Sequence, residues 1–325
     1  MAVLVTGGAG YIGSHMVLAL LDAGEQVVVI DDLSTGNRKA VPEPAKLVIG
    51  NVGDEALVEK TLREHDVEAV THFAAKVVVP DSVADPIGYY LANTANARTL
   101  LSAVVRAGVK HYVFSSTAAV YGNPDANPVD ENTKPKPESP YGTSKLMSEW
   151  ILRDTAAAHG LSAMVLRYFN VAGADPAGRT GQSTPNATHL IKVACEAAVG
   201  KRKGMQIFGT DYATPDGTCI RDYIHVTDLI DAHVAALRHL RQGGENLTLN
   251  CGYGRGYSVR EVVDTVKRVS GVDFPVTLVP RRPGDPTAIV ARADRIRAKL
   301  GWRPKLDDLA TIVTHALAWE RKLAR

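Results

Sequence analysis

The run Thr6-Gly7-Gly8-Ala9-Gly10-Tyr11-Ile12-Gly13-Ser14, entered directly from the apolar segment Ala2–Val5, constrains the fold more than any other stretch of this chain. Glycines at 7, 10 and 13 permit a tight turn out of a strand, close approach of a ligand to backbone N–H groups, and close packing of the next helix on the sheet. The positive end of that helix faces the turn, which suits a phosphate. Glycine-rich turns also arise for steric reasons alone, so context decides. Here the turn follows a strand, opens a helix, and is followed by Asp31 at the end of the next apolar run, 18 residues after Gly13. A carboxylate there accepts hydrogen bonds from ribose hydroxyls and repels a 2′-phosphate. The expectation is a dinucleotide site that favours NAD over NADP. Asp32 follows at once, and Arg38, which could receive a 2′-phosphate, reads as a solvated loop charge.

The rest of the first half fits that start. Short apolar runs at Ala2–Thr6, Gln26–Asp31, Lys46–Ile49, Ala69–Phe73, His111–Ser115 and Ser162–Arg167 read as strands. Helical patterns at Tyr11–Ala23, Asp54–Glu64, Gly88–Ala107 and Gly142–Ala158 lie between them. Strands that are apolar throughout and alternate with helices predict an α/β fold with a doubly wound parallel Rossmann sheet, its ligand crevice at the carboxyl ends of the strands. After about Ala172 the pattern changes to shorter elements broken by turns such as Pro215-Asp216-Gly217 and Arg282-Pro283-Gly284-Asp285. This predicts an NAD-binding domain over residues 1–172 and a smaller α/β substrate domain over 173–325, with some segments returning to the first.

Other classes are disfavoured. With 37 basic and 35 acidic side chains the chain has no charge excess to suggest a nucleic-acid or membrane-surface partner. No apolar run reaches membrane-spanning length. Cys195, Cys219 and Cys251 are odd in number and widely spaced, so neither a disulfide framework nor a zinc site is expected, and a cytoplasmic, reducing setting fits. The start of the chain reads as a first strand, not a signal peptide. None of the ten histidines lies in a metal-ligand spacing, and His225 reads as a structural hydrogen-bonder.

Ser139-Pro140 is a plausible cap and first turn for a helix that opens with Tyr141-Gly142-Thr143-Ser144-Lys145. Tyr141 and Lys145, four apart, share one face of that helix. The pair could be an accident of the surface, but of the eleven tyrosines only Tyr141 has a lysine four residues later. Upstream, Phe114-Ser115-Ser116-Thr117 ends a strand at the same crevice as the glycine turn, so the Thr117 hydroxyl serves equally well as a cap or as a contact to substrate.

These segments, in this order, resemble the extended short-chain dehydrogenase/reductase superfamily over nearly the whole chain. Within it, Thr6–His15, Phe114–Pro124, Arg167-Tyr168-Phe169-Asn170 and Asp216–Val226 resemble the UDP-glucose (UDP-galactose) 4-epimerase family, the last being the most specific. The resemblance implies that Tyr141 is the catalytic acid/base, Lys145 its partner and Thr117 the active-site hydroxyl. It implies an NAD shell of Gly7, Gly10, Tyr11, Ile12, Gly13, Asp31, Asp32, Asn51, Val52, Phe73, Ala74, Ala75, Lys76, Asn93, Ser115 and Tyr168, joined by Tyr141 and Lys145. The UDP-sugar would meet Thr117, Tyr141, Asn170, His189, Leu190, Gln206, Phe208, Arg221, Tyr223, Arg282 and Asp285. Arginine suits a diphosphate because its donor fork is planar and permanently charged. Phe208 and Tyr223 are candidate walls beside uridine, though core packing is the favoured reading of Phe208. By the same resemblance the helices around Tyr89–Ala107 and Gly142–Ala158 pair with a second copy in a homodimer.

Lowering a tyrosine from its free pKa of about 10 to near 7 takes about 4 kcal/mol, which a lysine ammonium and a cationic nicotinamide could supply together. Three positions depart from the family pattern. Asn51 stands where an aspartate is common, Lys76 comes one residue early, and Ile289 replaces a tyrosine beside the sugar, which would admit an N-acetyl group. Epimerisation of another UDP-sugar remains an alternative. A 4,6-dehydratase would carry Asp-Glu after the active-site threonine, whereas Ala118-Ala119 follow Thr117 here. A non-catalytic NAD-sensing module would not need the intact Tyr141, Lys145 and Thr117.

Overall fold

A computed structural model describes residues 1–282 and 285–324. In chain order the strands are β1 (Ala2–Thr6), β2 (Gln26–Asp31), β3 (Lys46–Ile49), β4 (Val67–His72), β5 (His111–Thr117), β6 (Ser162–Tyr168), β7 (Asn170–Ala172), β8 (Met205–Phe208), β9 (Ile220–His225), β10 (Leu247–Cys251), β11 (Gly256–Ser258), β12 (Val276–Val279) and β13 (Ala288–Ile289). The helices are α1 (Tyr11–Asp22), α2 (Glu55–Glu64), α3 (Val79–Ala84), α4 (Pro86–Tyr89), α5 (Asn96–Ala107), α6 (Pro140–His159), α7 (Leu190–Ala198), α8 (Val226–Arg241), α9 (Val259–Ser270), α10 (Asp294–Leu300) and α11 (Leu309–Leu323).

Seven strands form one parallel sheet in the order β10-β6-β5-β4-β1-β2-β3. The strands are apolar on both faces because helices cover both. Val3, Val5, Val29, Val113, Met164 and Leu166 pack into the core shared with α1 and α8. Their neighbours Leu4, Val28, Ile30, Tyr112, Phe114 and Val165 point the other way, onto α2, α5 and α6. The strand order reverses between β1 and β4, and the carboxyl ends of these strands flank a crevice there. The expected parallel α/β fold is present, each predicted strand within two residues of its observed end.

The segment Val226–Cys251 returns to the large sheet. Helix α8 packs on α1, β5 and β6, while β10 pairs in parallel with β6. The remaining elements build a second layer: β9 lies between β11 and β13 and also pairs with β7, and β8 pairs with β12. Helices α7, α9 and α11 pack together behind them.

The helix expected over Gly88–Ala107 is not continuous. It runs as α4, a π-helical stretch at Tyr90–Ala95, and α5. Widened turns of this kind aim side chains that a regular helix would not, and the two buried here are Asn93 and Thr94. The predicted turn at Arg282-Pro283-Gly284-Asp285 includes Pro283 and Gly284, which lie outside the described residues.

Candidate active site

At the glycine turn, Gly7 has a φ of +70°, and a Cβ there would sit 2.7 Å from the Ala74 nitrogen. A Cβ on Gly13 would lie 2.1 Å from the Gly7 carbonyl oxygen, so α1 approaches the turn only because residue 13 has no side chain. Gly10 caps α1 without a side-chain acceptor, and its first turn has no acidic residue. The positive helix end is therefore left to an external anion. Tyr11 donates its hydroxyl to the Gly173 carbonyl, 2.7 Å away, tying the turn to the segment after β7.

Asp31 is buried, and its two oxygens accept the Ala9 and Leu33 N–H groups, each at 2.9 Å. Burial raises its pKa against those two bonds. The carboxylate thus braces the glycine turn, and each oxygen keeps a second lone pair for a ribose hydroxyl. Asp32 is exposed and accepts from Ser34 and from the Asn51 amide, while Asn51 accepts from Gly53 N–H and the Asn96 amide. Val52 is buried beside this rim, and Ile12 packs into the core.

Phe73, Ala74 and Ala75 follow β4 at the crevice. Phe73 N–H donates to the Thr6 carbonyl, and its ring lies 4.9 Å from that of His233. Asn93 grips the next residue through the backbone: its Oδ1 accepts Lys76 N–H at 2.8 Å, and its Nδ2 donates to the Lys76 carbonyl at 2.9 Å and to Ser144 Oγ at 3.0 Å. The amide therefore fixes the Ala75-Lys76 loop against α6. The Lys76 ammonium turns outward to Asp85, 3.5 Å away.

Ser139 caps α6 by accepting Gly142 N–H, and Pro140 occupies the first turn, as the sequence predicts. Tyr141 and Lys145 are both buried at that helix start, next to the end of β5. Lys145 Nζ donates to the Ser115 carbonyl at 2.7 Å and lies 4.7 Å from the Phe114 ring. Burial lowers its pKa to about 7, against the nearby Glu149 carboxylate. Burial also pushes Tyr141 up to about 12, opposed by a hydrogen bond with the Thr117 hydroxyl. Within the protein alone, desolvation outweighs the help that Lys145 was expected to give the phenolate.

Ser115 Oγ lies 2.8 Å from His233 Nε2, and His233 Nδ1 lies 2.9 Å from the Leu229 carbonyl. Burial lowers His233 to about 4, so the ring is neutral with one N–H. That proton must serve Leu229, so Ser115 donates to Nε2. Tyr168 is held protonated by burial and bonds Ser115.

The expected substrate residues fall in two neighbouring groups joined by β9. Asn170 and Tyr223 are register partners on β7 and β9, and with His189 and Leu190 they line a cavity of about 20 Å³. Gln182, Lys192 and Trp319 complete its wall, and the Gln182 amide bonds His189 Nδ1 at 2.8 Å. In the second group Arg282 stacks over Phe208 at 4.5 Å and bonds Asp285 at 3.0 Å, and Arg221 reaches Asp285 at 4.0 Å. Phe208 is only half-buried, so it forms a platform for an arginine and not core. Gln206, two residues away on β8, is exposed on the same face.

The sequence reading missed Glu149, Tyr121, His233, Ser144 and Gln182. Glu149 had a signal, four residues after Lys145 on one helix face; the others are joined only by the fold. His225 bonds His315 and accepts Thr227 N–H, a structural arrangement. Among the described residues no group of three His, Cys, Asp or Glu side chains converges on a metal position, and the three cysteines are buried and free.

The family of NAD dependent epimerases/dehydratases matches residues 3–252 of this geometry. The chain belongs to that family. A UDP-glucose 4-epimerase from Azospirillum brasilense is 63% identical over 99% of this chain and 92% of its own length. The structure of UDP-glucose 4-epimerase from Brucella ovis in complex with NAD is 44% identical, with a TM-score of 0.94 over 98% of this chain and 97% of that one. The UDP-Glc/GlcNAc 4-epimerase from Campylobacter jejuni is 45% identical, with a TM-score of 0.86 over 99% of each chain. This NAD dependent epimerase/dehydratase family member thus shares its layout from the glycine turn to α11 with those enzymes. No described helix is long and apolar enough to cross a membrane.

Proposed function

We propose that this enzyme is a UDP-glucose 4-epimerase that interconverts UDP-galactose and UDP-glucose. What supports the reading is the pairing of Tyr141 with Thr117 and of Lys145 with Ser115 at the end of β5, together with the cluster of Arg221, Arg282 and Asp285 beside Phe208. The uncapped, acid-free start of α1 fits the pyrophosphate of NAD, and Gly7, Gly10, Tyr11, Ile12, Gly13 and Asp31 would hold it. When bound, NAD would supply the hydride acceptor for C4 of the sugar and, once reduced, the hydride donor to its other face.

The side chains do the rest. Tyr141 takes the proton from the 4-hydroxyl and later gives it back. Thr117 bonds the same oxygen, and Lys145 holds the positive charge that a phenolate needs. Arg221 and Arg282 anchor the diphosphate by charge-assisted bonds while the 4-keto sugar turns over. Buried Ala118 and its neighbour Ala119 supply no proton to drive loss of water, which separates this site from a dehydratase.

The division of labour we assign is NAD to residues 1–172 and nucleotide sugar to 173–325. Exposed Val83, Ile87, Leu91 and Trp150 lie on α3, α4, the π-helical stretch and α6, and support a homodimer through this face. Buried free cysteines support a cytoplasmic setting. A second reading, turnover of UDP-GlcNAc and UDP-GalNAc as well, rests on Ile289, an aliphatic residue in register with Arg221. Equal amounts of enzyme assayed on each UDP-sugar pair test both. Turnover of the glucose pair is expected, and activity confined to a pentose or uronate pair would overturn the assignment.

A further inference from the structure

The side chain of Glu149 lies beneath the reaction centre and is gripped by two adjacent strands. It sits four residues after Lys145 on α6. Ser116 and Arg167 are direct register partners on β5 and β6, and both reach its carboxylate. Ser116 Oγ donates to Oε1 at 2.5 Å, Arg167 Nε to Oε1 at 3.0 Å, and Arg167 Nη2 to Oε2 at 2.6 Å. Arg167 Nη1 also donates to the Tyr121 hydroxyl at 3.1 Å, which donates to Asn250 Oδ1 on β10 at 2.7 Å. Glu149 and Arg167 are 5% and 6% exposed, so this polar network is shut off from water.

The contacts close a ring around the catalytic lysine. Lys145 bonds the Ser115 carbonyl, Ser116 follows Ser115, Ser116 bonds Glu149, and one helical turn leads back to Lys145. The next register pair along the same two strands is Thr117 and Tyr168. A buried ion pair contributes little net stability over apolar side chains of similar size. Its place in this ring gives it another use.

We propose that Glu149 is a positioning residue: clamped by Arg167 and Ser116, its carboxylate fixes where the Lys145 ammonium sits and sustains the charge that ammonium carries. The proposal rests on the assignment of Tyr141 and Lys145 to the reaction. Lys145 sits between Tyr141 and Glu149, each one helical turn away on α6, with His72 of β4 nearby. On β6, Arg167 reaches Glu149 and Tyr168 lies near Tyr141. Tyr89 of α4 stands beyond Tyr141, and His233 of α8 behind Ser115. Burial lowers His72 to about 3 and His233 to about 4, and it raises Tyr89 and Tyr168. All four are therefore neutral across the working range, which leaves Glu149 as the fixed charge acting on the ammonium and Arg167 as the charge acting on Glu149.

The test is the pH profile of kcat for the whole enzyme, whose alkaline limb reports loss of the Lys145 proton. Glu149→Gln removes the favourable charge, so the limb moves to lower pH by about one unit. Arg167→Met frees the carboxylate of its partner, so the limb moves to higher pH by about as much. Opposite shifts are the expected result. Limbs that stay in place while the rate falls evenly at every pH would overturn the proposal, because a merely structural clamp behaves that way. If either variant does not fold, Glu149→Asp, which withdraws the carboxylate by one methylene, is expected to shift the limb in the Glu149→Gln direction, and an unmoved limb overturns the proposal. Wild-type turnover by Tyr141→Phe would instead remove the underlying assignment; with that variant inactive and the limbs unmoved, only the clamp fails.

Discussion

Lys145 donates a 2.7 Å hydrogen bond to the carbonyl oxygen of Ser115, two residues before Thr117 on the same strand. One bond thus holds the start of α6, which carries Tyr141, against the end of β5, which carries the hydroxyl on the substrate side. The three groups assigned to the reaction thus form one unit whose geometry depends on strand–helix packing and not on a loop.

Tyr141→Phe removes the group proposed to exchange a proton with the sugar and keeps the ring. Turnover should fall by about 10³-fold, the scale of a lost general acid/base. UDP affinity, measured by calorimetry, should change less than about twofold, because the arginines lie elsewhere.

Asn93→Ala removes both bonds to the Lys76 backbone and the bond to Ser144. Asn93 and Ser144 are buried, and losing these three bonds together costs about 1–3 kcal/mol. Thermal unfolding should show that loss. NAD affinity should weaken with it, since the loop from Ala74 to Lys76 borders the glycine turn.

Arg282→Met keeps length and stacking on Phe208 but loses the charge-assisted bonds. A change of about 1.5–3 kcal/mol corresponds to a rise of roughly tenfold to a hundredfold in KM or in the UDP dissociation constant. The rate at saturation should hold near the wild-type value, because the arginine is proposed to act on the nucleotide and not on C4.

Four buried histidines make the fold sensitive to acid. Burial lowers His15 to about 4, His72 to about 3, His225 to about 3 and His233 to about 4. Below about pH 6.5 the unfolded chain protonates these rings and the folded chain does not, so unfolding takes up protons. Their contribution to stability is complete above pH 6.5 and is lost as pH falls toward their folded values. Calorimetry should show Tm falling by on the order of 10 °C between pH 7 and 5. A Tm independent of pH in that window would contradict the burial of these rings.

Much of this architecture was legible before the structure. The glycine turn, the alternation of apolar runs with helices, and the Tyr141–Lys145 spacing are local patterns, and each led to an element of the crevice. What stayed hidden depends on segments far apart in sequence. His233 lies 118 residues from the serine it bonds, and Tyr121 lies 129 from Asn250. The π-helical stretch at Tyr90–Ala95 was invisible because its residues suit an ordinary helix. Asn93 reaches Lys76 and Ser144 from it, and Thr94 reaches the Ser144 carbonyl, contacts that only the fold brings together. Phe208 was misjudged because an aromatic residue in an alternating strand looks like core until an arginine is seen covering it.

The central claim is that this chain oxidises and re-reduces C4 of a UDP-sugar with a cofactor it carries. The direct measurement is to incubate the purified protein, without added NAD, with UDP-galactose deuterated at C4, and to follow UDP-glucose by chromatography and mass. The account predicts conversion with the deuterium retained at C4. Product that has exchanged its C4 deuterium for solvent hydrogen, or no conversion even after NAD is added, would contradict it.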